Sequence, residues 1–118
     1  MINEKLIYDL FNDIAINPSH KGYEYVKTAL SILECNPNIS MGTLYDKIAL
    51  KYDSTYSRVE RCIRTEVCTC FDKGNINTLH VIFCHNIDAY SGKVTNSTFL
   101  KGLYSYIMLQ SKEDTNNE

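Results

Sequence analysis

All three arginines of the chain fall within seven residues: Arg58, Arg61 and Arg64, in the run Ser57-Arg58-Val59-Glu60-Arg61-Cys62-Ile63-Arg64. A guanidinium is flat and permanently charged, and its fork donates two parallel hydrogen bonds. It therefore suits phosphate oxygens and the O6/N7 edge of guanine. On an α-helix, spacing of i, i+3, i+6 advances about 300° per step, so the three guanidiniums share an arc of roughly 120°. Such a face concentrates positive charge and donors suited to anions.

The element that must carry this face is legible from its other side. Val59, Ile63, Val67, Cys70 and Phe71 recur at helical spacing. With Val59 at 0°, the apolar set centres near roughly 40° and the arginines near roughly 200°. Burying one face presents the other to solvent.

Net charge is −2, so bulk charge does not announce a polyanionic partner. Its distribution is more informative. Residues 55–64 sum to +2, which leaves −4 for the rest of the chain. A positive island on an acidic background turns one face toward a polyanion and repels it elsewhere. An acidic protein partner, such as a polymerase subunit, would fit the same arithmetic, and a protein-interaction module is the alternative reading.

Length and a hydrophobic content of 44% suit one domain with a real core. No run of about 18 apolar residues exists, so no membrane span is expected. Glu4, Asp9 and Asp13 interrupt the first apolar stretch, which is not the pattern of a secretory leader. Five cysteines, an odd number, read as reduced thiols in a cytoplasmic protein.

The periodicity predicts an all-α fold of about six helices. Leu6, Ile7, Leu10, Phe11 and Ile14 form the first stripe, which stops before Asn17-Pro18. Ser19 is expected to cap a second helix, with Tyr23, Val26, Ala29, Leu30 and Leu33 inward and an end near Asn36-Pro37-Asn38. A third, roughly residues 43–52, places Leu44, Ile48, Ala49 and Tyr52 on one side. The cluster Asp53-Ser54-Thr55 reads as a turn and N-cap. The arginine helix, residues 55–73, is expected to stop at Gly74 through a left-handed C′ conformation. A short apolar segment with Leu79, Ile82 and Phe83 follows, then an exposed loop over 85–94. Thr95-Asn96-Ser97 caps a last helix with Phe99, Leu100, Leu103 and Ile107. The expected domain is 1–110, and the polar residues 111–118 read as a disordered tail.

Residues 43–73 thus read as helix, tight turn, helix, the layout of a helix-turn-helix whose second helix enters the major groove. Three stretches of this region strongly resemble the C-terminal effector domain of the sporulation initiation response regulator of spore-forming bacteria. They are Leu44-Tyr45-Asp46-Lys47-Ile48-Ala49, the arginine run, and Gly74-Asn75-Ile76. His20-Lys21-Gly22-Tyr23 and Thr95-Asn96-Ser97 with Phe99 extend the likeness to roughly residues 12–110.

That resemblance implies a six-helix domain that binds double-stranded promoter DNA, often as tandem head-to-tail copies, and activates or represses transcription, with RNA polymerase as a further partner. By position, Arg58 looks like the guanine reader, and Glu60 the partner of a cytosine amino group. Arg61 and Arg64 look like further base or phosphate contacts, and Ser54, Thr55 and Ser57 like phosphate donors. Tyr56 and Thr65 complete the expected contact stretch, although both depart from the family's pattern. Glu66 departs too. It lies near roughly −20°, on the apolar side, where pairing at a rim is expected. Full-length family members carry a receiver domain and linker ahead of this module, to which the resemblance does not extend.

Other chemistries are less well supported. Cys68, Cys70, His80, Cys84 and His85 are ligand types that zinc accepts. On a helix, however, Cys68 and Cys70 point to opposite sides, so no metal is expected. No phosphate-binding glycine loop, His-Glu-x-x-His or nucleophile elbow is present, and His20, His80 and His85 are scattered. No enzyme and no cofactor are expected. Of the nine tyrosines, Tyr23, Tyr45 and Tyr52 fall on apolar stripes and read as core.

Overall fold

Most helices start where a short polar side chain replaces a missing backbone partner. Asn3 accepts from the amides of Lys5 and Leu6, Ser40 from Thr43, Thr55 from Arg58, and Asn75 from Asn77 and Thr78. Thr95 accepts from the Thr98 amide at 3.2 Å. Removing such a cap costs about 0.5–2 kcal/mol. The computed structural model describes residues 3–116. It contains α1 (Glu4–Asp13), α2 (Lys21–Cys35), α3 (Met41–Lys51), α4 (Tyr56–Lys73), α5 (Ile76–Phe83), a 3-10 turn (Cys84–Asn86) and α6 (Asn96–Asn116). No strand occurs among the described residues, and the all-α expectation holds.

α2 is the central rod. It packs against α3, α4 and α6, and α4 in turn packs on α3 and α6. Val26, Ala29 and Leu30 of α2 are fully buried, as are Leu44 and Ile48 of α3, Val59 and Ile63 of α4, and Phe99, Leu100, Leu103 and Ile107 of α6. Each large side chain so buried stabilises the fold by about 1.5–3 kcal/mol before chain entropy is counted. The helix that carries the arginines is thus held from behind by three others.

Several local expectations are corrected. Ser19 does not cap α2. Its hydroxyl and amide both donate to Asn17 Oδ1 at 2.9 Å, so a local Asx turn has captured them. His20 takes the N-cap position instead, without a side-chain cap bond. Gly74 is not left-handed, with φ −77° and ψ 170°. Glycine is needed there for space: a Cβ would stand 2.6 Å from the Cys70 carbonyl oxygen and 2.7 Å from that of Ile14. Finally, α6 does not stop near residue 110. It runs to Asn116, so the polar stretch from Ser111 is helix to that point rather than a disordered tail. No proline lies in this stretch to halt a helix already nucleated. The remainder of the expected tail, residues 117 and 118, lies outside the described residues.

Candidate nucleic-acid interface

The turn between α3 and α4 is built by three residues, Asp53, Ser54 and Thr55. Asp53 adopts a left-handed backbone, φ 51°, which a short polar side chain tolerates better than most. This lets the Ser54 amide reach back to the Ala49 carbonyl at 2.8 Å and close α3 with a Schellman-type cap. Thr55 then sits extended as N-cap, its Oγ1 accepting from the Arg58 amide at 3.2 Å. α4 begins at Tyr56, one residue after the expected start. α3 begins at Met41, two residues before the expected start, and ends at Lys51.

Of the expected contact residues, Thr55, Ser57, Arg58, Arg61, Arg64 and Thr65 are exposed, whereas Ser54 and Glu60 are half-buried. Arg58 and Arg61 have no ion-pair partner among the described residues. Arg64 differs, because its guanidinium hydrogen-bonds both oxygens of Glu60, one turn earlier. This bond holds the Glu60 carboxyl below its ordinary range, with smaller help from the charges of Arg64 and Arg61 and against slight burial. The arginine face therefore comprises two unengaged guanidiniums and one that is already occupied. Thr65 is engaged as well: its hydroxyl donates to the Arg61 carbonyl at 3.0 Å.

Tyr56 neither crowds the outer face nor stands free. Its ring meets Tyr45 edge-on, with centroids 5.2 Å apart at 88°, and its edge comes within 4.0 Å of where a Cβ on Gly42 would lie. Such a pair adds about 0.5–1.5 kcal/mol beyond area burial. It ties the first residue of α4 to α3 and fixes the angle at which the arginines leave the domain. Asn96, the first residue of α6, donates from Nδ2 to the Glu60 carbonyl at 3.1 Å and adds a second tie. Burial raises the Tyr45 hydroxyl above its ordinary pKa, with the Asn96 hydrogen bond opposing.

Glu66 is not at a rim. It is 3% exposed, and its Oε1 lies 3.1 Å from His20 Nδ1 at the start of α2. Oε2 is buried without a hydrogen-bond partner among the described residues. Desolvation raises its pKa, and the charge and hydrogen bond of His20 oppose that shift. Gly22 makes the room, since a Cβ there would stand 2.2 Å from Glu66 Cγ. Burial likewise pushes the Cys70 thiol well above its ordinary pKa. Cys68 is half-buried, and no group of three or more His, Cys, Asp or Glu side chains is placed to hold a metal ion among the described residues.

Sequence reasoning missed two of these supports. Tyr45 was read only as core, and Asn96 only as part of a cap. Their positions near the starts of α3 and α6 gave no sign that both would converge on the first two turns of α4.

No helix among the described residues is long and apolar enough to cross a membrane. A family model described as "Sporulation initiation factor Spo0A C terminal" matches residues 7–107. The match runs from α1 into α6 and includes every residue of the arginine helix and its turn. The chain belongs to the family of the C-terminal effector domain of the sporulation initiation factor Spo0A, a DNA-binding regulator of transcription.

Proposed function

We propose that the domain binds double-stranded promoter DNA in a sequence-dependent way, with the N-terminal half of α4 in the major groove. One observation carries the reading. Arg58 and Arg61 project without an ion-pair partner among the described residues from a helix whose rear, at Val59 and Ile63, is fully buried. A rigid rod presenting uncommitted guanidiniums is what reading a base edge requires. Arg58 takes the guanine edge, Arg61 a base or phosphate. Ser54, Thr55 and Ser57 donate to backbone phosphates beside the turn. The carboxylate of Glu60 reaches a cytosine amino group while Arg64 holds its other side, so the two act as a unit. Tyr56 contributes by orienting α4, and Thr65 marks the far limit of the contact stretch.

One such domain makes few phosphate contacts, so tandem head-to-tail occupancy is the way to useful affinity, and RNA polymerase is the partner that regulation requires. The family is one of DNA-binding regulators rather than enzymes. The test is a titration of guanine-rich promoter duplex against scrambled duplex at two salt concentrations. The reading expects a steep fall with salt and a remaining preference for the promoter duplex. Equal, salt-insensitive binding to both would instead favour an acidic protein as the partner of the arginine face.

A further inference from the structure

The positive face extends beyond α4. A groove of about 170 Å3 lies between the start of α2 and the first two turns of α4, lined by Lys21, Tyr25, Asp53, Ser54, Arg58 and Arg61 among others. It is smaller than the roughly 300–1,000 Å3 of small-molecule sites. Three cations face one carboxylate there, and none of the three has an ion-pair partner among the described residues. Lys21 and Arg61 also border the neighbouring depression, where His20, Gly22 and Glu66 meet. These two side chains therefore stand on the ridge between the two hollows. The buried Glu66 carboxylate bonds His20 and so fixes the residue immediately before Lys21 to α4. A lysine on a flexible stem is a point charge without a fork, suited to a phosphate rather than a base edge.

We infer that Lys21, from outside the helix-turn-helix, grips a DNA backbone phosphate beside Arg61 at the α2 side of the groove, while Arg58 keeps the base edge. This rests on the DNA-binding reading and adds to it a contact that positions the domain without reading sequence.

The test compares wild type, Lys21→Gln and Lys21→Arg on the best-bound member of a randomised duplex pool and on its single-base variants, over a salt series. Lys21 is exposed, and circular dichroism is recorded alongside to check that each variant is folded. Lys21→Gln should weaken binding to every duplex by a similar factor and leave their ranking intact. It should also reduce the slope of log K against log salt by about 1, and Lys21→Arg should restore that slope. Unchanged affinity and slope in Lys21→Gln, while wild type remains selective, would overturn the inference alone. A changed ranking would overturn it too, because Lys21 would then be touching a base. Wild type without salt dependence or preference would remove the DNA-binding reading and this contact together. Inorganic phosphate added without DNA should give no saturable amide shift at Lys21. A saturable shift would assign a free-anion site in its place.

Discussion

The two halves of α4 use charge in opposite ways. In the first half, Arg58 and Arg61 stand in solvent with no ion-pair partner among the described residues, and Arg64 is tied to its neighbour Glu60. In the second half, the carboxylate of Glu66 is sealed under Gly22 with one oxygen on His20 and the other unsatisfied. Burial of an under-partnered carboxylate is unfavourable, and the burial of Val67 and Cys70 in the same half of α4 must offset that. One half holds charge available for an external ligand, whereas the other ties the helix to α2 through a buried carboxyl group hydrogen-bonded to His20. A single helix can serve as both reader and anchor because the two tasks are separated along its length.

The contrast breaks most severely if the buried rear of α4, which runs through both halves, is emptied. Ile63→Ala empties a fully buried site on the rear of α4 and should cost about 2–5 kcal/mol, read by urea denaturation. The loss of DNA binding should follow the loss of folded protein. Arg58→Ala is expected to act the other way round. Thermal stability should stay close to wild type, while binding loses about 1–3 kcal/mol at one base pair and discrimination there relaxes. Unchanged ranking of box variants would show that Arg58 is not the reader.

A smaller effect separates the halves by pH. The folded-state pKa of Glu66 is raised, so its favourable contribution is fully present below the ordinary carboxylate pKa and is lost as pH rises through the raised value. Wild type should therefore lose stability relative to Glu66→Gln across that window, as followed by denaturation at several pH values. A parallel pair of profiles would show that Glu66 is not strained by burial. Glu60→Ala should be the mildest change in stability, although discrimination at the base pair whose cytosine Glu60 is proposed to contact should relax. It frees Arg64 from an exposed pair, so the melting midpoint should barely move. Affinity for scrambled duplex should rise slightly, as a third guanidinium becomes available to phosphate.

Much of this was legible in the chain because helical periodicity is a local signal. The opposed faces of Val59, Ile63, Val67 and of Arg58, Arg61, Arg64 needed only their spacing, and the Asp53-Ser54-Thr55 turn needed only its residue types. What escaped depends on distant partners. The depth of Glu66 is set by the missing Cβ of Gly22, 44 residues earlier in the chain. The direction of the Tyr56 ring is set by Tyr45 in another helix. Gly74 was rightly singled out for the wrong reason: close approach of the Ile14 carbonyl demands it, not a left-handed turn. The length of α6 was underestimated because polar composition was read as disorder, although a helix already anchored at Phe99 to Ile107 can continue through polar residues.

The most direct check on the division of α4 is amide chemical-shift mapping of the folded domain as promoter duplex is added. The account predicts the largest perturbations over Ser54 to Arg64 and small ones from Val67 onward. Large shifts confined to α5 and the outer face of α6, with Arg58 and Arg61 unmoved, would contradict it.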